Sequence, residues 1–485
     1  MQTKNTSHIC LECNQEKNLS NWCKPCYSKH FQNDFNNWTS GDYKVDKFIQ
    51  DSQLNANYSW KVIEWIPYDR FKDVKQIGRG GFGTIHYAKW IDGLIRGWDI
   101  ENQQWKRRGE YEVALKKFDN LVNLNDALNE MAIHLKTNSR AYSNSIRFYG
   151  ITQDPETHSY IMVLEYASDG NLREYLKINF NNINWFQKLQ NLWDLSYKLL
   201  NIHELNIVHQ DFHPGNILSS DFKNSVLQIS DFGLSKLIGA NSPEKKNIFG
   251  VLPFIAPEVL SGEEYTKAAD VYSFGIIAHE IVTGFPPYHD VPHDKDLALK
   301  ICNGLRPKIP FHTPKLITRM IMRCLDARVT HRPTFYQLVN ELSKYYNDYR
   351  KYLKGKNEDS EIVIQIKKAE KFSVNPSHSL GSIWKSISRI LVHWREELTN
   401  TTTITTTTPM NYKTHPEAIY TKLEELMKST STSSTEELTN TTTITTTTPM
   451  NYKTHPEAIY TKLEELMKST STSSTVASKL HVPNF

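Results

Sequence analysis

The sequence predicts an α+β fold, because strand-like and helical patterns occupy different parts of the chain. Short apolar runs bounded by glycines and polar residues, typical of strands, dominate residues 71–167. A long helical pattern follows at residues 185–206, with leucines mostly three or four positions apart. Within the strand-rich part, residues 126–135 are predicted to form one helix, since much of that stretch is apolar at helical intervals.

Composition narrows the class of protein. A chain of 485 residues has room for about two or three domains, and a formal net charge of +4 gives no support for nucleic-acid binding as the main task. No run of about 18 apolar residues predicts a membrane span, and the polar N-terminus lacks the apolar core of a signal peptide. Six cysteines without a secretory signal argue against disulfides. The protein is therefore expected to be intracellular, in the cytoplasm.

Residues 1–45 contain two CxxC pairs nine residues apart, which predict a small zinc-binding segment. The four cysteines are Cys10, Cys13, Cys23 and Cys26. Four thiolates suit tetrahedral zinc, and a segment this short needs such a staple to fold. The alternative is four reduced thiols in a disordered tail. His8 and His30 are less favoured substitute ligands, and a redox role is disfavoured because no βαβ pattern surrounds either pair.

Residues 46–70 are predicted to be a lead-in that packs against the next domain. Beyond them, Gly78, Gly80 and Gly83 follow the pattern G-x-G-x-x-G. Glycine lets backbone N–H groups approach phosphate oxygens without a Cβ in the way. A dinucleotide-binding fold would require a helix directly after the glycines, whereas residues 84–88 continue as a strand. The pattern therefore favours a hairpin over nucleotide phosphates, with a plain hairpin turn as the alternative.

A lysine and a glutamate follow this hairpin at a suggestive spacing. Residues 91–110 look like a polar insertion between two strands, and the next strand ends at Lys116. Glu130 lies fourteen residues later, on the predicted helix. Taken singly, the lysine could be a solvated strand residue and the glutamate an ordinary surface acid.

The most informative stretch runs from His209 to Gly233. Asp211 and Asn216 lie in a segment with a proline and a glycine, which suits a loop, and Asp231 follows a short apolar run. Two acids and an amide held on loops can place one general base and bind a divalent metal through hard oxygens.

These motifs together resemble those of a eukaryotic protein kinase domain over residues 71–346. Later motifs in the expected order strengthen the resemblance: Ala256-Pro257-Glu258, the segment 270–275, and His331-Arg332-Pro333. The resemblance implies a bilobal fold with a small β-rich N-lobe and a larger helical C-lobe. The apolar, non-basic character looks closest to the tyrosine-kinase-like group. The paired-CxxC segment is similar to that of expanded kinase families in some fungi.

The resemblance also implies roles for individual residues. Lys116, held by Glu130, would contact the α and β phosphates of ATP, Asp211 would accept the proton of the substrate hydroxyl, and Asn216 and Asp231 would bind Mg²⁺. The strand at residues 160–167 would lead into the hinge that reads the adenine, with Leu164 controlling the back pocket. The implied ATP-binding residues are Ile77, Gly78, Arg79, Gly80, Gly81, Phe82, Gly83, Thr84, Ile85, Lys116, Glu165 and Ala167.

Three departures from the family pattern accompany these matches. Gln210 stands where many kinases have the arginine that receives an activation-loop phosphate. His213 occupies the position of a lysine in most serine/threonine kinases, and Val251 replaces a common threonine. We therefore expect an active, ATP- and Mg²⁺-dependent kinase of a protein substrate. Serine or threonine is favoured as the acceptor, and tyrosine is the alternative. A pseudokinase or nucleotide-binding scaffold is the alternative. Ser235 and Ser242 are the hydroxyl candidates in the polar part of the activation loop.

The last third of the chain differs in composition. Residues 347–395 are predicted to be a charged linker, with a short alternation of isoleucines at 362, 364 and 366. An amphipathic helix is predicted at residues 382–398. It would dock on the kinase or on a partner, and membrane binding is the less favoured alternative. Residues 396–475 are two identical forty-residue Thr-rich repeats, followed by a tail at 476–485. Two units are too few for a solenoid, so a disordered tail is favoured over an array that binds a protein partner.

Overall fold

The structure is a computed structural model that describes residues 9–80, 83–118, 123–138, 144–237 and 250–374. Several predicted features lie outside the described residues. They are His8, Gly81, Phe82, Ser242, the amphipathic helix at 382–398, the two repeats and the tail.

A six-stranded sheet forms the N-lobe. Its strands are β1 (Glu64–Trp65), β2 (Phe71–Gly80), β3 (Gly83–Trp90), β6 (Tyr111–Phe118), β7 (Phe148–Gln153) and β8 (Tyr160–Glu165). They lie in the order β1-β7-β8-β6-β3-β2, and all neighbours are antiparallel except β1 and β7. Alternation along β6 buries Val113 and Leu115 in the cluster on the outer face of the sheet, whereas Lys116 points to the opposite face.

Helix α3 (Leu124–Thr137) covers that opposite face. Asn123 caps its first turn by accepting a hydrogen bond from the Asp126 N–H at 2.9 Å. Ala127 and Met131 pack into the same apolar cluster as Ile151 and other strand residues. The helix predicted at residues 126–135 is therefore present and extends two residues further at each end.

The C-lobe is helical and surrounds one central helix. Its helices are α4 (Leu172–Asn179), α5 (Trp185–Glu204), α6 (Pro257–Leu260), α7 (Lys267–Thr283), α8 (Lys295–Cys302), α9 (Lys315–Cys324), α10 (Phe335–Tyr352) and α11 (Glu361–Val374). Every residue of α7 from Ala269 to Thr283 is buried, as expected of a helix enclosed on all sides. The predicted α+β, bilobal kinase fold is confirmed.

Four short strands at the base of the cleft position the loops between the lobes. They are β9 (Ile207–Val208), β10 (Ile217–Asp221), β11 (Val226–Ile229) and β12 (Lys236–Leu237), which form the antiparallel pairs β10–β11 and β9–β12. The loop between β9 and β10 carries Asp211 and Asn216, and the loop between β11 and β12 carries Asp231.

The N-terminal segment and the polar insertion fold together as an accessory layer, which comprises residues 9–62 and 91–110. Its elements are α1 (Lys24–Asp34), α2 (Tyr43–Asn55), β4 (Ile95–Asp99) and β5 (Gln104–Arg107). Trp98 and Trp105 from the hairpin β4–β5 enter one apolar cluster with Trp22, Tyr27 and Phe31 of the N-terminal segment. The Phe31 and Trp105 rings stack with centroids 4.2 Å apart. The insertion thus contributes a buried aromatic contact that its polar composition did not indicate.

The predicted lead-in contacts the N-lobe, as expected. Ile49 on α2 and Ile63 are fully buried in the cluster beneath α3, and β1 extends the sheet by pairing with β7. Helix α2 begins at Tyr43 and runs continuously across residue 45, where the sequence suggested a boundary.

Helix α11 lies within the stretch predicted to be a linker. Ile362, Val363 and Ile366 are buried in the C-lobe core, while Ile364 is 40% exposed. The isoleucine alternation therefore belongs to a helix, because positions 362, 363 and 366 share one helical face. Among the described helices, none combines the length and the apolar character needed to cross a bilayer.

Candidate active site

A buried triad of charges joins the two lobes. Lys116 Nζ lies 2.6 Å from Glu130 Oε1 and 2.9 Å from Asp231 Oδ1. Burial by itself would lower the pKa of Lys116, but the charges of Asp231 and Glu130 outweigh it and raise that pKa. For Asp231, burial opposes ionisation, yet the Lys116 charge and hydrogen bonds lower its pKa to about 2. Lys116 and Asp231 are therefore both charged at neutral pH.

Two buried rings support this triad, that of His134, which sequence reasoning did not single out, and that of Phe232. His134, one turn after Glu130, is fully buried, and its Nε2 lies 3.8 Å from Glu130 Oε1. Its ring meets the buried Phe232 edge-on, with centroids 4.9 Å apart. Phe232 also contacts the His209 ring at 5.1 Å, so an aromatic column connects α3 with the loops below it. The spacing of apolar residues along the helix did not predict that His134 is buried, because histidine counts as a polar residue in such a pattern.

The loop between β9 and β10 holds Asp211 beside Asn216. The Asn216 Nδ2 donates to the Asp211 backbone oxygen at 2.9 Å and to Asp211 Oδ2 at 3.3 Å. These bonds orient the amide so that its Oδ1 is directed away from Asp211. The Asp211 Oδ1 is buried and accepts no hydrogen bond from any described residue. This carboxylate oxygen is thus available to a substrate proton donor.

Asp270 fixes the backbone of this loop from below. Its Oδ2 accepts from the His209 N–H at 2.9 Å and lies 2.8 Å from His203 Nε2, and its Oδ1 accepts from the Gln210 N–H at 3.2 Å. Gln210 and Asp231 both adopt left-handed backbone angles, with φ of 68° and 61°. Such angles in non-glycine residues persist only where the surroundings hold them, as Asp270 and Lys116 do here.

The glycine-rich hairpin is formed by β2 and β3. Gly78 pairs with Ile85, Arg79 with Thr84, and Gly80 with Gly83. Ile77 precedes them on β2 and is partly exposed. A Cβ added to Gly83 would lie 1.9 Å from the Lys117 carbonyl oxygen, whereas one added to Gly80 would meet nothing closer than 4.0 Å. Gly83 is thus required by its contact with β6, while Gly80 leaves open space beside the backbone.

The predicted hinge follows β8. Leu164 is buried, and Gln228 Nε2 donates to Glu165 Oε2 at 2.8 Å. That bond holds the Glu165 side chain against the C-lobe, and the Glu165 N–H donates to the Arg147 carbonyl at 2.9 Å. The Ala167 carbonyl accepts from the Gly170 N–H at 3.0 Å, which shapes the turn into α4.

Two residues near the loop between β9 and β10 have structural roles that bear on the sequence predictions. His213 Nδ1 accepts a hydrogen bond from the Gly215 N–H at 3.0 Å, which directs its Nε2 to a point 3.6 Å from Asp211 Oδ2. Ser235 is 2% exposed and donates to the His209 carbonyl at 2.9 Å, which makes it a loop contact rather than an accessible phosphate acceptor.

Arginine–glutamate pairs stabilise the substrate side of the C-lobe. Arg332 binds Glu258 through two parallel hydrogen bonds of 2.6 and 2.7 Å, as the sequence suggested. Arg173 Nε lies 3.8 Å from Glu280 Oε1, while the buried Glu280 Oε2 has no hydrogen-bond partner among the described residues. Burial raises the pKa of Glu280 to about 7, against the opposing charge of Arg173.

The residues present fit the metal that the kinase resemblance implies. Asn216 Oδ1 and Asp231 Oδ2 accept no hydrogen bond from a described residue, and hard oxygens of this kind are what Mg²⁺ prefers. The fit rests on these two oxygen ligands.

The four N-terminal cysteines form a second candidate site in the accessory layer. Their sulfurs all lie within 4.8 Å of one another, with Cys10–Cys26 at 3.7 Å and Cys13–Cys23 at 3.6 Å, and none forms a disulfide. Tetrahedral zinc with bonds of about 2.3 Å would place sulfurs about 3.8 Å apart. Burial raises the pKa of Cys10, but backbone N–H groups of Cys13 and Glu12 outweigh it and lower that pKa to about 7. The geometry is compatible with zinc. His30 does not join the sulfurs, because its Nε2 pairs with Glu12 at 2.8 Å.

Comparison with known proteins adds an independent line of evidence. Residues 71–342, more than half of the chain, match the family model described as protein tyrosine and serine/threonine kinase. "Putative serine/threonine-protein kinase/receptor R831" of Acanthamoeba polyphaga mimivirus is 31% identical over 64% of this chain and 18% of the relative. In Dictyostelium discoideum, "Probable serine/threonine-protein kinase drkD" is 29% identical over 60% of this chain and 21% of the relative. The corresponding values for "Probable serine/threonine-protein kinase drkA" are 27%, 63% and 43%. The chain therefore covers less than half the length of each of these relatives.

The contrast between Gly83 and Gly80 is testable by substitution. Gly83→Ala should lower the unfolding free energy by about 1–3 kcal/mol, because the new Cβ forces β3 away from β6. Gly80→Ala is the matched control and should change it by less than about 0.5 kcal/mol. Urea unfolding followed by far-UV circular dichroism measures both. Equal urea midpoints for the two variants would contradict the close approach of Gly83 to the Lys117 carbonyl.

Glu280 should make stability depend on pH. A folded-state pKa of about 7, above that of an exposed glutamate, means that the protonated form adds stability at low pH, and this stability is lost as pH rises through 7. Glu280→Gln mimics the neutral form, so its stability relative to the native chain should improve by about 2–3 kcal/mol between pH 5 and pH 8.5. The exposed Glu263→Gln should show no such trend. Thermal unfolding of the native chain and both variants at pH 5 and pH 8.5 measures these differences. The same change with pH in Glu280→Gln and Glu263→Gln would contradict the raised pKa of Glu280.

Proposed function

Because the chain belongs to the protein tyrosine and serine/threonine kinase family, we propose that it is an ATP-dependent protein kinase in a signalling pathway. It transfers the γ-phosphoryl group of Mg-ATP to a serine or threonine hydroxyl of a protein. The observation that carries this proposal is the completed charge triad of Lys116, Glu130 and Asp231, located beside a buried Asp211 oxygen without a partner.

Each residue of the site has a task in this proposal. Lys116, held by Glu130, positions the α and β phosphates, and Asn216 and Asp231 hold magnesium, which neutralises charge on the transferred phosphoryl group when bound. Asp211 Oδ1 accepts the hydrogen bond of the substrate hydroxyl and takes its proton. The backbone of residues 77–85 covers the phosphates, and the backbone at Glu165 and Ala167 binds the adenine.

His213 takes the place of a lysine in this mechanism. Because Nδ1 accepts from the Gly215 N–H, the ring directs its Nε2 towards the Asp211 carboxylate. It therefore keeps Asp211 in position, while its short side chain gives a weaker electrostatic contribution at the transferred phosphoryl group than the long side chain of a lysine would. Activity lower than that of a lysine-containing site is the expected consequence.

The acceptor class is supported by the relatives. Those named above carry the description serine/threonine-protein kinase. A finer placement in the tyrosine-kinase-like group, near fungal families with a paired-CxxC segment, belongs to the same proposal and rests on the character of the motifs. The competing role is a scaffold that binds nucleotide without turnover, favoured by Gln210, His213 and Val251.

The accessory segment is part of the proposal. We assign zinc to Cys10, Cys13, Cys23 and Cys26 on the basis of the sulfur spacing. The proposed division is a zinc segment at 1–45, a lead-in at 46–70, the kinase domain at 71–346, repeats at 396–475 and a tail. The stretch at 347–395, predicted to be a linker, begins with the end of α10 and with α11, which packs into the C-lobe core. The zinc segment has a structural role here, because its cysteines border the aromatic cluster shared with hairpin β4–β5.

Asp211→Asn tests the catalytic assignment. Loss of the proton acceptor should reduce phosphoryl transfer to a generic protein substrate by about 10²–10⁴-fold, while Mg-ATP binding stays within about twofold. The exposed Asp290→Asn is the control and should retain full activity. Radiolabelled phosphate transfer followed by phosphoamino-acid analysis also identifies the acceptor. A native chain that binds Mg-ATP but transfers no more phosphate than Asp211→Asn would establish the scaffold role instead.

Zinc binding is tested on the full chain by elemental analysis at neutral pH. The native protein should hold about one zinc ion per chain, and Cys23→Ser should lose it and unfold at lower temperature. Cys302→Ser removes a cysteine outside the cluster and should keep the metal. Native protein without zinc after purification in metal-containing buffer would remove the assignment.

A further inference from the structure

The described residues line a cavity of about 410 Å³ that opens to solvent between the accessory layer and the N-lobe sheet. It lies between the N-terminal segment, which contributes Ser20 and Trp60, and strand β7, which contributes Tyr149. Tyr149 belongs to the apolar cluster on the outer face of the sheet, together with Val113 and Leu115. Lys116 points to the other face, so this cavity is separate from the nucleotide cleft.

Three arginines line the cavity, namely Arg96, Arg108 and Arg147. Arg108 stacks on the Tyr111 ring at 4.6 Å, and none of the three pairs with a carboxylate among the described residues. The acid in the lining, Glu64, is already bound by both terminal nitrogens of Arg107. The cavity is therefore strongly positive, with guanidinium groups that lack an anion.

Aromatic rings form the wall beside the arginines. Tyr149 is 5% exposed, and its ring meets that of Tyr111 edge to face, with centroids 5.9 Å apart. Because Tyr111 also carries the Arg108 guanidinium on its ring, this pair holds Arg108 beside the cavity.

We propose that this cavity binds a phosphorylated side chain of a peptide. Planar guanidinium groups donate paired hydrogen bonds to phosphate oxygens, and arginine clusters recognise phosphorylated residues in this way. Two of the arginines, Arg96 and Arg108, are exposed, so a peptide reaches the site from solvent. A volume of about 410 Å³ lies within the usual range for ligand pockets and leaves room for residues beside the phosphate.

The chain itself carries a peptide of matching chemistry. Residues 396–410 begin with Glu396 and Glu397, continue into a threonine tract, and contain no lysine or arginine. The same fifteen residues recur at 436–450. A phosphothreonine in such an acidic tract complements three unpaired arginines, and the duplication offers two copies. We therefore assign this tract as the occupant.

The test is a binding titration on the full chain with Mg-ADP in the nucleotide cleft. A fluorescent peptide copying residues 396–410, phosphorylated at Thr405, should bind at least about tenfold more tightly than its unphosphorylated counterpart. The double variant Arg96→Gln/Arg147→Gln should weaken phosphopeptide binding by about tenfold or more, since each arginine supplies a charge-assisted bond. Arg319→Gln, an exposed arginine on α9, is the charge-matched control and should bind as the native chain does.

Three results would overturn the proposal. The first is equal affinity of the phosphorylated and unphosphorylated peptides, and the second is unchanged phosphopeptide affinity in the double variant. The third is inorganic phosphate that binds as tightly as the phosphopeptide, because the ligand would then be free phosphate. Arg147→Lys keeps the positive charge but lacks the planar guanidinium group. It should therefore bind the phosphopeptide more tightly than the double variant does. This partial recovery would exclude a folding defect as the cause of the lost affinity. The titration requires no phosphoryl transfer, so its failure is independent of the result for Asp211→Asn.

Discussion

The structure depends most on the ion triad that Lys116 forms with one acid from each lobe. Removing charges from water is costly, and the attraction between them compensates only when every partner is in place. Lys116 comes from the sheet, Glu130 from α3 and Asp231 from the C-lobe. The position of α3 and the approach of the two lobes are therefore linked through one ammonium group. Displacing any one of the three elements would leave a charge buried without compensation.

A buried acid with several partners also holds the loops of the C-lobe in place. Asp270 accepts two backbone N–H groups and pairs with His203, which holds a left-handed residue beside Asp211. The site is thus assembled before any ligand arrives. Preorganised groups of this kind stabilise charge in a transition state without having to move, which is the main source of catalysis in phosphoryl transfer.

Much of the site was predictable because its chemistry is recorded in residue type and order. Lys116 contacts Glu130 and Asp231, and Asn216 contacts Asp211, since residue type and order restrict such groups to loops at strand ends. Their roles in binding ATP and metal stay predictions. The accessory contacts were not predictable. Trp98 and Trp105 lie in a stretch that is polar on average, and their partners are about eighty residues away in sequence. His134 and α11 were missed for a related reason, because short-range periodicity does not report which face a tertiary contact will cover.

The shared aromatic cluster of the accessory layer makes its two segments depend on each other. Trp22 and Phe31 come from an N-terminal extension, whereas Trp105 comes from an insertion between two strands of the N-lobe. A gene that acquired only one of these segments would encode a protein with large aromatic rings facing water. Each segment thus shields the aromatic rings of the other from water, so a change that removes one of them exposes an apolar surface on the other.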